Sequence, residues 1–337
     1  MFWASACSLL PTHSMETAVR YDNVKEVQRH LNEGASANEK YDDGRAPLHI
    51  AAQKGYISIA QILLGHGAKV APKDKKGQTP LHLASKEGQT QMVDFLIGHK
   101  AAVNGRDHLG RTPLHHAALG WKNEETIQYL LDKRARVNAA DHKGITPLYL
   151  ASVSGRPQAV ELLINRGAKV NPVSGPAPLM GAVSTGHEEV VRVLLAHEAN
   201  VHGSGSSPRT PLHVAAEKGY TRIAELLLEH KADPQRKDNT GNSPVYYAAY
   251  NDHPRVMEIL FDHGVDVNLT IPQGTLLHLA AEKGHAATAD LLIEKNARLE
   301  AKNSRGEKPL DVAINHRKQK IADMITRAII NLREAGK

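Results

Sequence analysis

"RTPLHHAALGW", residues 111–121, sets two adjacent histidines, His115 and His116, shortly before Trp121. In isolation the pair looks like two metal ligands or an acid/base couple. The rest of the chain argues otherwise, because the stretch recurs. "APLHIAAQKG" (46–55) returns as "TPLHLASKEG" (79–88), "TPLHHAALGW" (112–121), "TPLYLASVSG" (146–155) and "APLMGAVSTG" (177–186). It continues as "TPLHVAAEKG" (210–219), "SPVYYAAYND" (243–252), "TLLHLAAEKG" (275–284) and "KPLDVAINHR" (308–317). Successive blocks are 33, 33, 34, 31, 33, 33, 32 and 33 residues apart. A fixed period of this size is the signature of an array of supersecondary units.

Each block reads as a helix followed by a second one. Thr-Pro opens the first helix, with proline in the first turn where its missing N–H costs nothing. The Ala-Ala pair leaves room for neighbouring helices to approach. Blocks such as "ISIAQILLGHGAKV" (57–70) and "TRIAELLLEHKADP" (221–234) supply an apolar stripe for the second helix. Shortly after that stripe stands a basic residue or histidine: His66, His99, Lys133, Arg166, His197, His230, His263 or Lys295. Such residues complement the negative end of the helix dipole. One unit cannot bury its stripe alone, so stacked neighbours must build the core.

With these motifs the chain closely resembles the ankyrin-repeat family over roughly residues 15–334, "DHLGRTPLHHAA" and "DHKGITPLYLAS" meeting its pattern almost letter for letter. The resemblance implies an all-α ankyrin-repeat solenoid: stacked helix-turn-helix units carrying β-hairpin or loop fingers. The expected organisation is a leader over 1–14 and a capping repeat over 15–42, then repeats 1–4 over 43–171. Irregular fingers and a hinge follow over 172–209, then repeats 6–8 and the start of the ninth over 210–310, and capping helices over 311–337.

Composition narrows the function. A net charge of +6 over 337 residues is too dilute to argue for nucleic acid. No stretch is apolar for long enough to span a membrane. The single cysteine, Cys7, excludes an internal disulfide framework and fits a reducing compartment, so a cytoplasmic location is expected, with the nucleus as the alternative. His49, His82, His115, His213 and His278 occupy one repeat slot, which the resemblance assigns to bonds between neighbouring units. No zinc spacing, nucleophile elbow or phosphate loop is present. The expectation is a non-enzymatic, monomeric binding scaffold with no metal and no cofactor. A ubiquitin-ligase substrate adaptor and a secreted bacterial effector are the alternatives.

The resemblance places partner contacts at the finger tips and just beyond the Ala-Ala pair. It therefore points to Arg45, Lys75, Lys76, Gln78, His108, Arg111, His142 and Lys143, a mainly basic row that suits an acidic peptide or protein surface. Tyr250 and Trp121 are added as aromatic anchors, because exposed aromatic residues favour interfaces. Trp121 is expected either to cover His116 or to stand exposed. Family asparagine hydroxylation would fall on Asn104, Asn138, Asn171 and Asn268.

Departures from the repeat carry their own expectations. The fifth finger, "NPVSGPAP" (171–178), is short, and the sixth, "HGSGSSPR" (202–209), is rich in glycine and serine; both lack the tip aspartate. In the eighth unit Leu276 replaces the helix-opening proline and the finger loses one tip residue. Lys100, Arg134, Glu198, Lys231 and Asn296 replace the glycine after the second helix, where a positive φ would cost a side chain about 1 kcal/mol. If the array behaves as two subdomains, limited proteolysis cuts first within 172–209. Early cleavage elsewhere, with that segment intact, contradicts the division.

Overall fold

The computed structural model describes residues 14–121, 123–203, 209–334 and 336. The expected leader lies outside the described residues except for Ser14, whose hydroxyl accepts the N–H of Thr17 and caps the first helix. Most of the glycine- and serine-rich part of the sixth finger also lies outside them.

Two compact units result. The first is residues 1–169 with 174–176, the second residues 170–173 with 177–337. The first opens on α1 (Met15–Arg20) and α2 (Val24–Asn32). Four pairs follow: α3 (Pro47–Lys54) with α4 (Ile57–Gly65), α5 (Pro80–Lys86) with α6 (Thr90–Gly98), α7 (Pro113–Leu119) with α8 (Glu124–Asp132), and α9 (Pro147–Val153) with α10 (Pro157–Asn165). The second holds α11 (Pro178–Thr185) with α12 (Glu188–Ala196), α13 (Pro211–Lys218) with α14 (Thr221–Glu229), and α15 (Pro244–Tyr250) with α16 (Pro254–Asp262). It ends with α17 (Leu276–Lys283), α18 (Ala286–Glu294), α19 (Pro309–Asn315) and the longer α20 (Gln319–Glu334). Within each unit first helices pack on first helices and second on second.

The core is what the repeat prescribes. Leu48, Leu81, Leu114 and Leu148 are buried on the first helices, and Leu63, Leu96, Leu130 and Leu163 on the second. Each such side chain stabilises the fold by about 1.5–3 kcal/mol. The alanines Ala51, Ala84, Ala117 and Ala151 are buried between them, where a larger side chain would force the helices apart.

Hydrogen bonds through imidazoles tie neighbouring pairs. Nδ1 of His115 accepts the backbone N–H of Thr112 at 3.1 Å, with the Thr112 hydroxyl at 2.9 Å. That leaves Nε2–H to donate to the carbonyl of Ile145 in the next finger, 3.0 Å away. His49, His82, His213 and His278 repeat the arrangement, reaching the carbonyls of Gln78, Arg111, Asn242 and Glu307. A proton on Nδ1 would oppose the N–H that this nitrogen accepts, so the bridge needs neutral imidazole. Burial pushes His115 down to about 4, and burial together with the nearby His116 does the same to His82. Burial also holds His49 and His213 below the ordinary imidazole range. In the ninth unit Asp311 accepts the N–H of Lys308 in the same way, but a carboxylate has no proton to pass on.

The fingers are turns rather than hairpins. Among the described residues only β1 (Thr270–Ile271) and β2 (Gly274–Thr275) pair, antiparallel with Ile271 opposite Gly274. This is the shortened eighth finger, where only Pro272 and Gln273 join the strands, a loop length that favours a paired hairpin. Leu276 opens α17 in place of proline and is fully buried. In the second, third, fourth and seventh fingers a wider turn closes on a buried tip aspartate, Asp74, Asp107, Asp141 or Asp238. The non-glycine residues after the second helices do take positive φ, from 58° at Glu198 to 69° at Lys100.

Acid should weaken the fold through the bridges. Unfolded imidazoles take up protons below about 6.5, whereas folded His82 and His115 resist until about 4. The unfolded state then binds more protons, so stability is full above 6.5 and is lost as pH falls towards 4. The slope is about 1.4 kcal/mol per pH unit per histidine. Urea unfolding across this window measures it, and a flat profile contradicts it. His115→Ala, which orphans two buried backbone groups, should cost about 2–4 kcal/mol and reduce that slope.

Candidate functional site

The tips of the first compact unit form a continuous edge. In the second finger the carboxylate of Asp74 accepts the N–H groups of Lys76 and Gln78, both at 2.8 Å. Asp107 does the same for Leu109 and Arg111, and Asp141 for Lys143 and Ile145. One backbone bond then joins each finger to the next: Lys75 N–H to Asp43, His108 N–H to Lys76, His142 N–H to Leu109. Glycine is required at the apex. Gly77 has φ +73°, and a Cβ there would lie 2.7 Å from the backbone nitrogen of His108.

On this edge Lys75, Lys76, His108, Leu109, His142 and Lys143 are exposed, Leu109 at 53%. Among the described residues no carboxylate pairs with Lys75, Lys76 or Lys143. Arg45 and Arg111, expected to face a partner beside them, are tied down. Arg45 pairs with Asp43 at 3.2 Å and donates to Gln53, while Arg111 pairs with buried Asp141 at 3.2 Å. Gln78 is half-buried, and its carbonyl accepts the His49 bridge.

The two histidines of the opening stretch part company. His115 is a bridge. His116 is buried on the same helix, and its Nε2 meets the Asp107 carboxylate at 2.9 Å, while its ring lies edge-on to His82 with centroids 5.2 Å apart. Burial alone would raise the Asp107 carboxyl. The bond from His116 and the N–H groups of Arg111 and Leu109 outweigh it and hold that carboxyl at about 2. Of the two expected placements of Trp121, the structure has the exposed one: Trp121 is 69% exposed and Arg156 stacks on it.

Tyr247 stands at the equivalent place in the second compact unit and solves the same problem. Its hydroxyl donates to the Asp238 carboxylate at 2.6 Å, and its ring lies edge-on to His213, with centroids 5.9 Å apart. His116 and Tyr247, the two polar departures from the aliphatic slot, thus tie a first helix to the aspartate that organises its own finger. The sequence carried a signal for this, an imidazole and a phenol nine residues after a tip aspartate, which periodicity alone cannot interpret. Tyr250 is 41% exposed and lies beside Tyr246 as its spacing predicts. Lys283 sits 4.3 Å over its ring and donates to its hydroxyl at 3.2 Å. Neither Lys283 nor Arg156 was legible as an aromatic partner, because each lies a full repeat away from its ring.

The finger asparagines are clasps between neighbours. Asn104 accepts the N–H of Arg136 and donates to Arg134, and Asn138 does so with Lys169 and Gly167. Asn171 accepts from Asn200 and donates to Glu198, while Asn268 accepts from Arg298. The histidines after the second helices act as sequence reading expects: Nδ1 of His66, His99, His230 and His263 bonds the carbonyl four residues back at 2.8–2.9 Å. Among the described residues no group of three metal-ligating side chains converges, and no helix is long and apolar enough to cross a membrane. A cleft of about 1040 Å³ lies between α20 and the loop after α18, lined by Ile293, Leu299, Ile329 and Leu332 among others.

Comparison with known families gives the class. A family model described as "Ankyrin repeats (3 copies)" matches residues 15–107, 68–141, 99–174, 138–203 and 179–271, and "Ankyrin repeat" matches 274–304. The chain belongs to the ankyrin-repeat family, whose repeats generally serve as protein–protein interaction modules. None of the curated proteins compared with it gives a match.

The aspartate link is testable. Asp107→Ala, which strips two turn N–H groups and buried His116 of their acceptor, should cost about 2–4 kcal/mol in urea unfolding. His116→Leu should cost about 1 kcal/mol or less, since Leu83 fills that slot one unit earlier above an intact Asp74 turn. Equal losses in the two variants would refute the link.

Proposed function

We propose that the chain is a non-enzymatic scaffold whose second to fourth fingers hold an acidic segment of a partner protein. The observation that carries this reading is the row Lys75, Lys76 and Lys143, exposed and without an ion-pair partner among the described residues, along fingers that are bonded side to side, with Leu109 exposed among them. A rigid basic edge attracts an acidic surface at long range, and an apolar residue within it gives a contact that charge alone does not. His108 and His142 add hydrogen-bond donors and acceptors to the edge, and Tyr250 with Lys283 offers a contact on the second unit. The scaffold acts in the cytoplasm as a monomer. Hydroxylation at Asn104, Asn138, Asn171 or Asn268 stays within the proposal, and each clasp must open before an enzyme can reach the side chain.

Affinity purification of the full chain from its native cells, read by mass spectrometry, identifies the partner. The variant Lys75→Glu/Lys76→Glu/Lys143→Glu should weaken its capture at least about tenfold and flatten its salt dependence, because like charges now face the partner. Unchanged capture contradicts the basic edge, and recovery of ligase subunits would make the chain an adaptor.

A further inference from the structure

The third helix pair contains a feature that the fingertip reading leaves unused. Helix α7 stops at Leu119, and Gly120 continues in extended conformation (φ −72°, ψ 165°), where Gly55 after α3 curls left-handed. Asn123 fills the space behind the connection. Its amide donates to the carbonyls of Ser85 at 3.0 Å, Lys86 at 2.8 Å and Ala117 at 3.2 Å.

Trp121 is exposed without being loose. The guanidinium of Arg156 lies 3.8 Å from its ring centroid, and Arg156 Nε donates to the carbonyl of Gly120 at 3.2 Å. Among the described residues no carboxylate pairs with Arg156. The pair therefore presents the outer face of an indole beside a guanidinium whose terminal nitrogens remain for another acceptor. Both side chains are already ordered, so a ligand would not bear the cost of fixing them. The place is distinct from the fingertips: the fingers precede α7 and Trp121 follows it, seven residues or about 10 Å along the helix.

We propose that Trp121 and Arg156 form a second docking point, for an acidic peptide segment carrying an aromatic side chain. A carboxylate of that segment takes the terminal nitrogens of Arg156, an arrangement that guanidinium geometry favours. Its aromatic ring lies on the open face of Trp121. The proposal rests on the protein-binding reading and adds to it a site, a pair of residues and a ligand chemistry.

The chain has two tryptophans, so Trp3→Phe in the full-length protein leaves Trp121 as the sole indole reporter. The probe is a random copolymer of glutamate and tyrosine, with polyglutamate and polylysine for comparison. The copolymer should change Trp121 emission saturably, polyglutamate should bind more weakly, and polylysine should not bind. Arg156→Ala should weaken copolymer binding at least about tenfold, and Arg156→Lys should fall between it and the parent. Urea midpoints near the parent value establish that these variants fold. Unchanged Trp121 emission, equal binding of polylysine, or affinity within twofold in Arg156→Ala overturns the proposal. If the fingertip charge reversal weakens copolymer binding while Arg156→Ala does not, this site fails and the fingertip reading stands. If neither variant changes affinity, both fail.

Discussion

A neutral imidazole that accepts from the start of its own helix and donates to the next finger is the contact on which the rest of this structure depends. Each ring uses both nitrogens, so it fixes the first turn of a helix and the position of a neighbour in one bond pattern. The alanines beside it allow the helices close enough for the bond to form, and the leucines exclude the water that would compete with it. The bridge needs an unprotonated ring, and burial favours one at His49, His82, His115 and His213. Five units carry it; Tyr149, Met180, Tyr246 and Asp311 fill the slot without an imidazole, so the stack is not uniformly fastened.

The fingers have their own organiser. A tip aspartate gathers backbone N–H groups into a turn, and the turns join by single backbone bonds, which keeps side chains between them free to face outward. His116 and Tyr247 strengthen two of these turns from below. The surface that results is rigid in its backbone and basic at its exposed tips. The titratable groups along it are either spread along an edge or spent on internal bonds.

What could be read in the sequence followed from periodicity. A repeat of about 33 residues, proline at each helix start and histidine in a fixed slot determine the helix pairs and the core leucines. The left-handed residues after the second helices were legible too, because aligning the units puts Lys100 or Arg134 where glycine stands elsewhere. These are local decisions, made within one unit and repeated in the next. Tertiary structure decided whatever crosses units. It paired Arg111 with Asp141, and so tied into an internal ion pair a cation that the sequence offered to a partner. It laid Arg156 over Trp121, and so turned an irregular connection into an ordered aromatic surface. It also separated His115 from His116, one bound to a neighbour's carbonyl and the other to its own finger's aspartate. Sequence spacing fixes which residues share a helix face. The packing of each helix on its own finger and on the next unit decides which of their polar atoms are already satisfied and which are left for a partner.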